Sequence, residues 1–65
     1  MQKWEYLIIE TTSLDRVYAI NGEHQKGNKQ LVQAVGKVGM QGWELTAVTE
    51  DENGRHLLFF KRPAT

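Results

Sequence analysis

Residues 43–62, WELTAVTEDENGRHLLFFKR, decide the fold of this 65-residue chain. Two runs rich in β-branched and aromatic residues, 43–49 and 55–62, flank the tetrapeptide Asp51-Glu52-Asn53-Gly54. An Asn-Gly pair between two such runs is a strong short-range signal for a β-hairpin. Pro63 ends the second run because proline cannot donate to a central ladder. The segment therefore predicts two antiparallel strands.

The sequence leaves the register of this hairpin open between two turns. A regular two-residue turn would put Phe60 beside Ala47 and Phe59 beside Val48. A three-residue loop with a bulge at Gly54 would exchange those neighbours. In either register the two phenylalanines face opposite sides of the sheet, because successive strand residues alternate in direction.

The N-terminal third predicts a second pair of strands. Residues 3–11 contain aromatic and aliphatic side chains without glycine or proline, which is typical of a strand. Residues 12–15 predict a turn, and residues 16–20 predict a shorter strand. Asn21-Gly22 has turn chemistry because both residues accept a positive φ. We interpret the polar residues 23–27 as a loop.

One amphipathic helix of about three to four turns separates the two strand pairs. Asn28 is a candidate cap for its start. Apolar residues then recur at helical spacing, at Leu31, Ala34, Val35 and Val38. Gly39, at the edge of that stripe, predicts a close approach of the helix to the sheet. Gly42 predicts a left-handed residue just after the helix.

The order β-β-α-β-β predicts an α+β fold, with a four-stranded antiparallel sheet and one helix packed on one face. We assign residues 1–65 to a single domain, which is the size that a chain of this length allows.

Composition excludes several classes of protein. The chain has no cysteine and two histidines, so disulfides and thiolate metal sites are absent. Eight basic residues balance eight acidic ones, whereas nucleic-acid binders usually carry a basic excess. No segment reads as a signal peptide or reaches the ~20 apolar residues that cross a bilayer. We therefore expect a cytoplasmic protein without a membrane partner, and nucleic acid is a disfavoured partner.

Three short motifs carry a resemblance to a known family: Trp4-Glu5-Tyr6, Gly42-Trp43-Glu44-Leu45 and the terminal Phe60-Lys61-Arg62-Pro63. With them the chain resembles the small bacterial YjzH-like family of unknown function. The similarity covers nearly the whole chain except residues 12–27, where this chain is longer. The resemblance implies a compact β-β-α-β-β domain of bacterial or phage type, and it carries no catalytic residue.

More apolar surface lies on the predicted sheet than one helix can cover. Each face receives a leucine and a phenylalanine from residues 57–60, and a solvated face would alternate to polar residues. We therefore predict a homo-oligomer, a dimer first, with an unidentified protein partner as a further option. The alternative is that the loop at residues 21–28 folds over the second face. The candidate interface residues are Leu57, Leu58, Phe59, Phe60, Leu7, Ile9 and Val48.

Two other functions compete with a non-enzymatic interaction module. An anion-binding or nucleic-acid-binding module would use Lys26, Lys29 and Lys37 around the helix together with Lys61 and Arg62 at the end of the last strand. A ligand-binding or catalytic protein would hold its site between subunits. The sequence contains no recognisable nucleophile, phosphate loop, cofactor motif or metal motif, so we assign no catalytic, cofactor or metal residues.

Trp4 and Trp43 have two interpretations. A tryptophan on a sheet can stack on bases or sugars. We favour a structural role in the core or in an interface, with both residues at strand starts and packed against the ends of the helix, because large aromatics dominate core burial.

Overall fold

The computed structural model describes residues 1–13, 16–27 and 29–64. They form six elements: β1 (Trp4–Ser13), β2 (Arg16–Ile20), β3 (Glu23–His24), α1 (Leu31–Met40), β4 (Glu44–Glu50) and β5 (His56–Pro63). The strands make one antiparallel sheet in the order β3-β2-β1-β5-β4. The α+β class with one helix on an antiparallel sheet is therefore confirmed.

The predicted count of four strands is wrong, because a fifth strand lies in the region interpreted as a loop. Asn21 and Gly22 both have positive φ, 52° and 79°, and turn the chain back on β2. His24 then pairs with Ala19. Both residues of β3 are polar and exposed, so they leave no apolar pattern from which a strand is predicted.

The hairpin between β4 and β5 uses a three-residue loop. The Asp51 N–H donates to the carbonyl of Arg55 at 2.8 Å, and Gly54 adopts a φ of 77°. The Asp51 carboxylate accepts the Arg55 N–H at 2.9 Å, which holds the loop closed. Phe59 accordingly lies opposite Ala47, as the second predicted register required.

A second irregularity in β4 changes the partner of Phe60. The predicted exchange of neighbours is wrong for Phe60, because the register set by the three-residue loop pairs Val48 with Leu58. A register shift between Leu45 and Ala47 then pairs Phe60 with Leu45. A bulge of this kind puts one extra residue in one strand and bends it. No residue in the sequence of β4 marks this bulge.

The C-terminal end of α1 is a Schellman motif. Gly42 has a φ of 89°, as predicted, and its N–H donates to the Gly39 carbonyl at 3.0 Å. The Trp43 N–H donates to the Val38 carbonyl at 3.1 Å. Trp43 also packs against the core cluster that contains Val38, which completes the motif with its usual apolar contact.

The helix begins later than predicted and is shorter. Gln30 is its N-cap and makes no capping hydrogen bond through its side chain, while Asn28 lies outside the described residues. A Cβ added at Gly36 or Gly39 would meet nothing within 4 Å. The predicted close approach of the helix to the sheet at Gly39 is therefore wrong, and both glycines only weaken the helix.

The core lies between α1 and the middle strands. Its cluster of buried apolar side chains consists of Ile9, Val17, Leu31, Ala34, Val38, Leu58 and Phe60. Thr11 is buried with them, and its hydroxyl oxygen accepts the His56 N–H at 3.2 Å. The buried hydroxyl of Thr11 thus has a hydrogen-bond partner in the interior.

Candidate interaction surfaces and ligand cleft

The structure divides the predicted interface residues between two sides of the sheet. Ile9, Leu58 and Phe60 are 0%, 7% and 2% exposed beneath α1, so in this fold they are core residues that no partner can reach. Leu7 packs half-buried against the same core. The interface prediction is incorrect at the three buried positions, because the sequence alone does not show which side of the sheet the helix covers.

Leu57 and Phe59 point to the opposite side, which we call the second face. It is the side of β1 and β5 away from α1, formed by Trp4, Tyr6, Ile8, Glu10, Leu57, Phe59 and Lys61. Phe59 lies in its centre, between Ile8 on β1 and Ala47 on β4. Trp4 is 41% and Tyr6 67% exposed. Ile8, Leu57 and Phe59 are partly buried by their neighbours on the sheet, and no helix or strand of the described residues packs on this face.

The loop between β3 and α1 runs along the sheet edge rather than over the second face. The Gln25 N–H donates to the Tyr18 carbonyl at 2.8 Å, and the Lys29 carbonyl accepts the Val17 N–H at 3.0 Å. Gln30 continues this contact as an isolated antiparallel bridge to Arg16. Since its described residues are bonded to β2, the loop does not supply the cover considered in the sequence analysis.

Lys61 and Arg62 belong to opposite sides of the sheet and do not form one basic site. The Lys61 ammonium lies 4.3 Å from the centre of the Trp4 ring, on the second face. Such a cation–π contact stabilises both side chains modestly. Trp4 therefore lies on the second face and not against a helix end, contrary to prediction.

Arg62 connects three parts of the chain on the helix side. Its guanidinium makes a 3.0 Å ion pair with Glu5, donates to the Gln41 carbonyl at 2.8 Å and lies 4.2 Å from the centre of the Trp43 ring. The Gln41 carbonyl is one of the acceptors left free at a helix end. Arg62 therefore fastens the end of α1 to β1 and β5, and Trp43 packs beside it as predicted.

Strand β4 extends beyond the cover of the helix. All seven of its residues are exposed, including Leu45 at 47% and Val48 at 51%. Val48 pairs with Leu58 and so lies on the helix side, not on the second face. Val48 therefore cannot share one flat interface with Phe59.

A cleft of about 380 Å³ opens between α1 and the end of β2. Its apolar lining comes from Leu7, Ile20, Ala34 and Val38, and its polar lining comes from Lys29, Gln33, Lys37 and Gln41. Two of the three lysines predicted to bind an anion thus meet at one site. Lys26 is not part of this lining.

His56 is the one partly buried histidine of the described chain. Its Nε2 lies 3.4 Å from Glu50, and its buried Nδ1 has no hydrogen-bond partner among the described residues. No group of three potential metal ligands occurs among the residues that the structure describes. Within the same residues, no helix has the length and apolar character needed to cross a bilayer.

Comparison with family models, curated proteins and solved structures finds no match to this chain. The resemblance to the YjzH-like family therefore stays a prediction.

Proposed function

We propose that this protein is a homodimerising interaction module whose second face packs against the second face of another copy. The observation that carries the proposal is the row Ile8, Phe59 and Ala47, which crosses three strands with no layer over it among the described residues. Two sheets stacked this way form a sandwich with a common apolar layer. The proposal includes a cytoplasmic location for the protein, as predicted from the sequence.

The surface area of the chain supports this reading. It exposes 4897 Å², whereas a compact monomer of 7.5 kDa exposes about 4,250 Å². The excess of roughly 650 Å² approaches the ~800 Å² that each partner buries in a standard interface. The radius of gyration, 12.0 Å, also exceeds the ~10.7 Å expected for 65 residues.

The charges beside the central row favour a particular two-fold axis. Glu10 lies on the second face on one side of this row, and Lys61 lies on the other side. A two-fold axis along the row places Glu10 across the interface from Tyr6 of the partner subunit. Lys61 of the partner subunit is then offset from Glu10 by one strand spacing, about 4.8 Å in the plane of the sheet, with the two sheets about 10 Å apart. Opposite charges then meet at both ends of the interface.

A binding platform for single-stranded nucleic acid is the second candidate. Exposed aromatic rings at Trp4 and Tyr6, with Lys61 beside them, resemble the aromatic and basic combination on which bases stack. Glu10 on the same face and a net charge of zero oppose it. Anisotropy with a labelled single-stranded oligonucleotide tests this candidate, and saturable, salt-sensitive binding lost in Trp4→Ala would favour it.

Sedimentation velocity at micromolar concentrations tests the dimer. We expect a species of twice 7.5 kDa for the unchanged chain. Tyr6→Glu and Phe59→Glu should weaken association at least thirtyfold, the effect of losing a central interface residue. Val32→Glu is the matched control, because Val32 is 76% exposed on the helix and far from the second face.

A charge swap tests the axis separately. Glu10→Lys and Lys61→Glu should each weaken the dimer, and the double variant should restore it. A monomer for the unchanged chain, or equal effects of Val32→Glu and Tyr6→Glu, would refute the proposed interface. A dimer that the swap does not restore would refute only the axis.

A further inference from the structure

The cleft beside α1 exists because β2 is shorter than β1. Pairing of the two strands ends at Ile9 with Ile20, and Asn21-Gly22 then turns the chain towards β3. Leu7 is therefore left without a strand neighbour on that side. Ala34 faces the gap from the helix with a side chain too small to fill it.

The electrostatic character of the cleft is uniformly positive. Both titratable groups in its lining, Lys29 and Lys37, are cations, and the sequence has no acidic residue between Glu23 and Glu44. Neither lysine takes part in the ion pairs of the described residues, which join His56 to Glu50 and Arg62 to Glu5. Among the described residues, the Lys29 ammonium donates to the Gln25 side chain, at 3.3 Å.

The polar lining of the cleft follows one side of the helix. Gln33, Lys37 and Gln41 are spaced by four residues, so they lie above one another along α1. Their exposed amide and ammonium groups can donate hydrogen bonds to an anion at the mouth, while the apolar residues line the interior. The cleft volume of about 380 Å³ lies at the lower end of the range of ~300–1,000 Å³ that is typical of small-molecule sites.

We propose that this cleft binds a small amphipathic anion, namely an aliphatic chain of medium length with a single carboxylate. The chain lies against Leu7, Ile20 and Val38, and the carboxylate binds Lys37 and Lys29. An apolar interior with two cations at its mouth matches one charged end and one apolar end, whereas a nucleic acid needs an extended basic track. The site is on the opposite side of the sheet from the second face, so a dimer leaves it open.

Titration of the ¹⁵N-labelled protein with decanoate, below its micellar concentration, tests the proposal by NMR. We expect saturable shifts centred on the amides of Leu7, Ile20, Ala34 and Val38. Decanol, which has the same chain without the charge, and acetate, which has the charge without the chain, should each bind roughly tenfold more weakly. Equal affinity for decanol, or shifts centred on Trp4 and Tyr6, would overturn the proposal.

Two charge-reversal variants, one in the lining of the cleft and one outside it, form a matched pair. Lys37→Glu should weaken decanoate binding roughly tenfold, because it replaces an attractive group at the mouth with a repulsive one. Lys26→Glu makes the same change in net charge outside the lining and should leave affinity unchanged. Equal losses in both variants would show that the attraction is diffuse and would overturn the site.

The Phe59→Glu variant distinguishes failure of the proposed ligand cleft from failure of the proposed dimer. Phe59→Glu should abolish association and keep decanoate binding, since Phe59 faces the other side of the sheet. Loss of decanoate binding in folded Phe59→Glu would place the ligand on the second face and would contradict the cleft.

Discussion

Replacing Arg62 by methionine tests whether one guanidinium fastens the end of α1 to the sheet. Methionine keeps a long apolar stem beside Trp43 and removes the charged group. The change deletes the ion pair with Glu5, the hydrogen bond to Gln41 and the cation–π contact with Trp43. Any stability that the Arg62→Met variant loses is therefore due to the guanidinium.

The expected cost follows from the geometry of these three contacts. The Arg62 and Glu5 side chains are 33% and 47% exposed, so solvent screens their pair to about 0.2–1 kcal/mol. The cation–π contact contributes about 0.5–1 kcal/mol, and the partly exposed hydrogen bond to Gln41 about 1 kcal/mol. Together they predict that the free energy of unfolding falls by about 2 kcal/mol. The total for a chain of this length is roughly 3–10 kcal/mol.

Urea unfolding at fixed protein concentration, followed by circular dichroism, measures this loss. In thermal unfolding it corresponds to a decrease of roughly 8–16 °C in Tm. Arg55→Met is the control, because the Arg55 guanidinium lies 5.7 Å from the Tyr18 ring and its side chain makes none of the described hydrogen bonds. We expect this control to cost less than about 0.5 kcal/mol.

A double-mutant cycle with Glu5→Gln isolates the ion pair. The coupling free energy between Arg62 and Glu5 should be about 0.2–1 kcal/mol. The larger part of the loss in Arg62→Met should then come from the hydrogen bond to Gln41 and the cation–π contact with Trp43. An Arg62→Met variant within about 0.5 kcal/mol of the unchanged protein, the range of an ordinary surface substitution, would refute the argument.

Two further stability predictions concern the helix end and the buried hydroxyl. Gly42→Ala should destabilise the fold by about 1–2 kcal/mol because it forces a side chain into a φ of 89°, whereas Gly39→Ala should stabilise it by up to about 1 kcal/mol. In chemical denaturation, a Gly42→Ala protein as stable as the original would contradict the left-handed geometry at Gly42, and a destabilised Gly39→Ala protein would contradict the open space at Gly39. Thr11→Val should cost about 1–3 kcal/mol because the His56 N–H loses its acceptor in the interior. A Thr11→Val protein as stable as the original in the same assay would show that this hydrogen bond contributes nothing.

The elements with a strong local pattern were predictable. Runs rich in aromatic and β-branched residues gave β1 and β5, the 3.6-residue period gave α1, and Gly42 marked the end of the helix. The strand β3 was missed because two exposed polar residues form it only by pairing with β2. The start of α1 was predicted too early because the polar residues before Leu31 have no apolar period to define a boundary.

The candidate sites were predictable only in part. The sequence indicated an excess of apolar surface and a group of lysines, and both features are present. It could not show that Lys29 and Lys37 share a cleft from which Lys26 is absent, because that depends on where β2 ends relative to α1. Nor could it show that Lys61 and Arg62 diverge to different surfaces with different partners.

By itself, the sequence determined the class of fold and the opposite directions of Phe59 and Phe60, because these follow from local periodicity and from the alternation of side chains along a strand. Only the tertiary structure decided which phenylalanine lies in the core beneath the helix and which lies, partly buried, on the second face. The helix packs on the side of Ile9 and Phe60, and this choice buries Phe60 and leaves Phe59 on the second face. Contacts between residues far apart in the chain decide that side, and no local pattern encodes them.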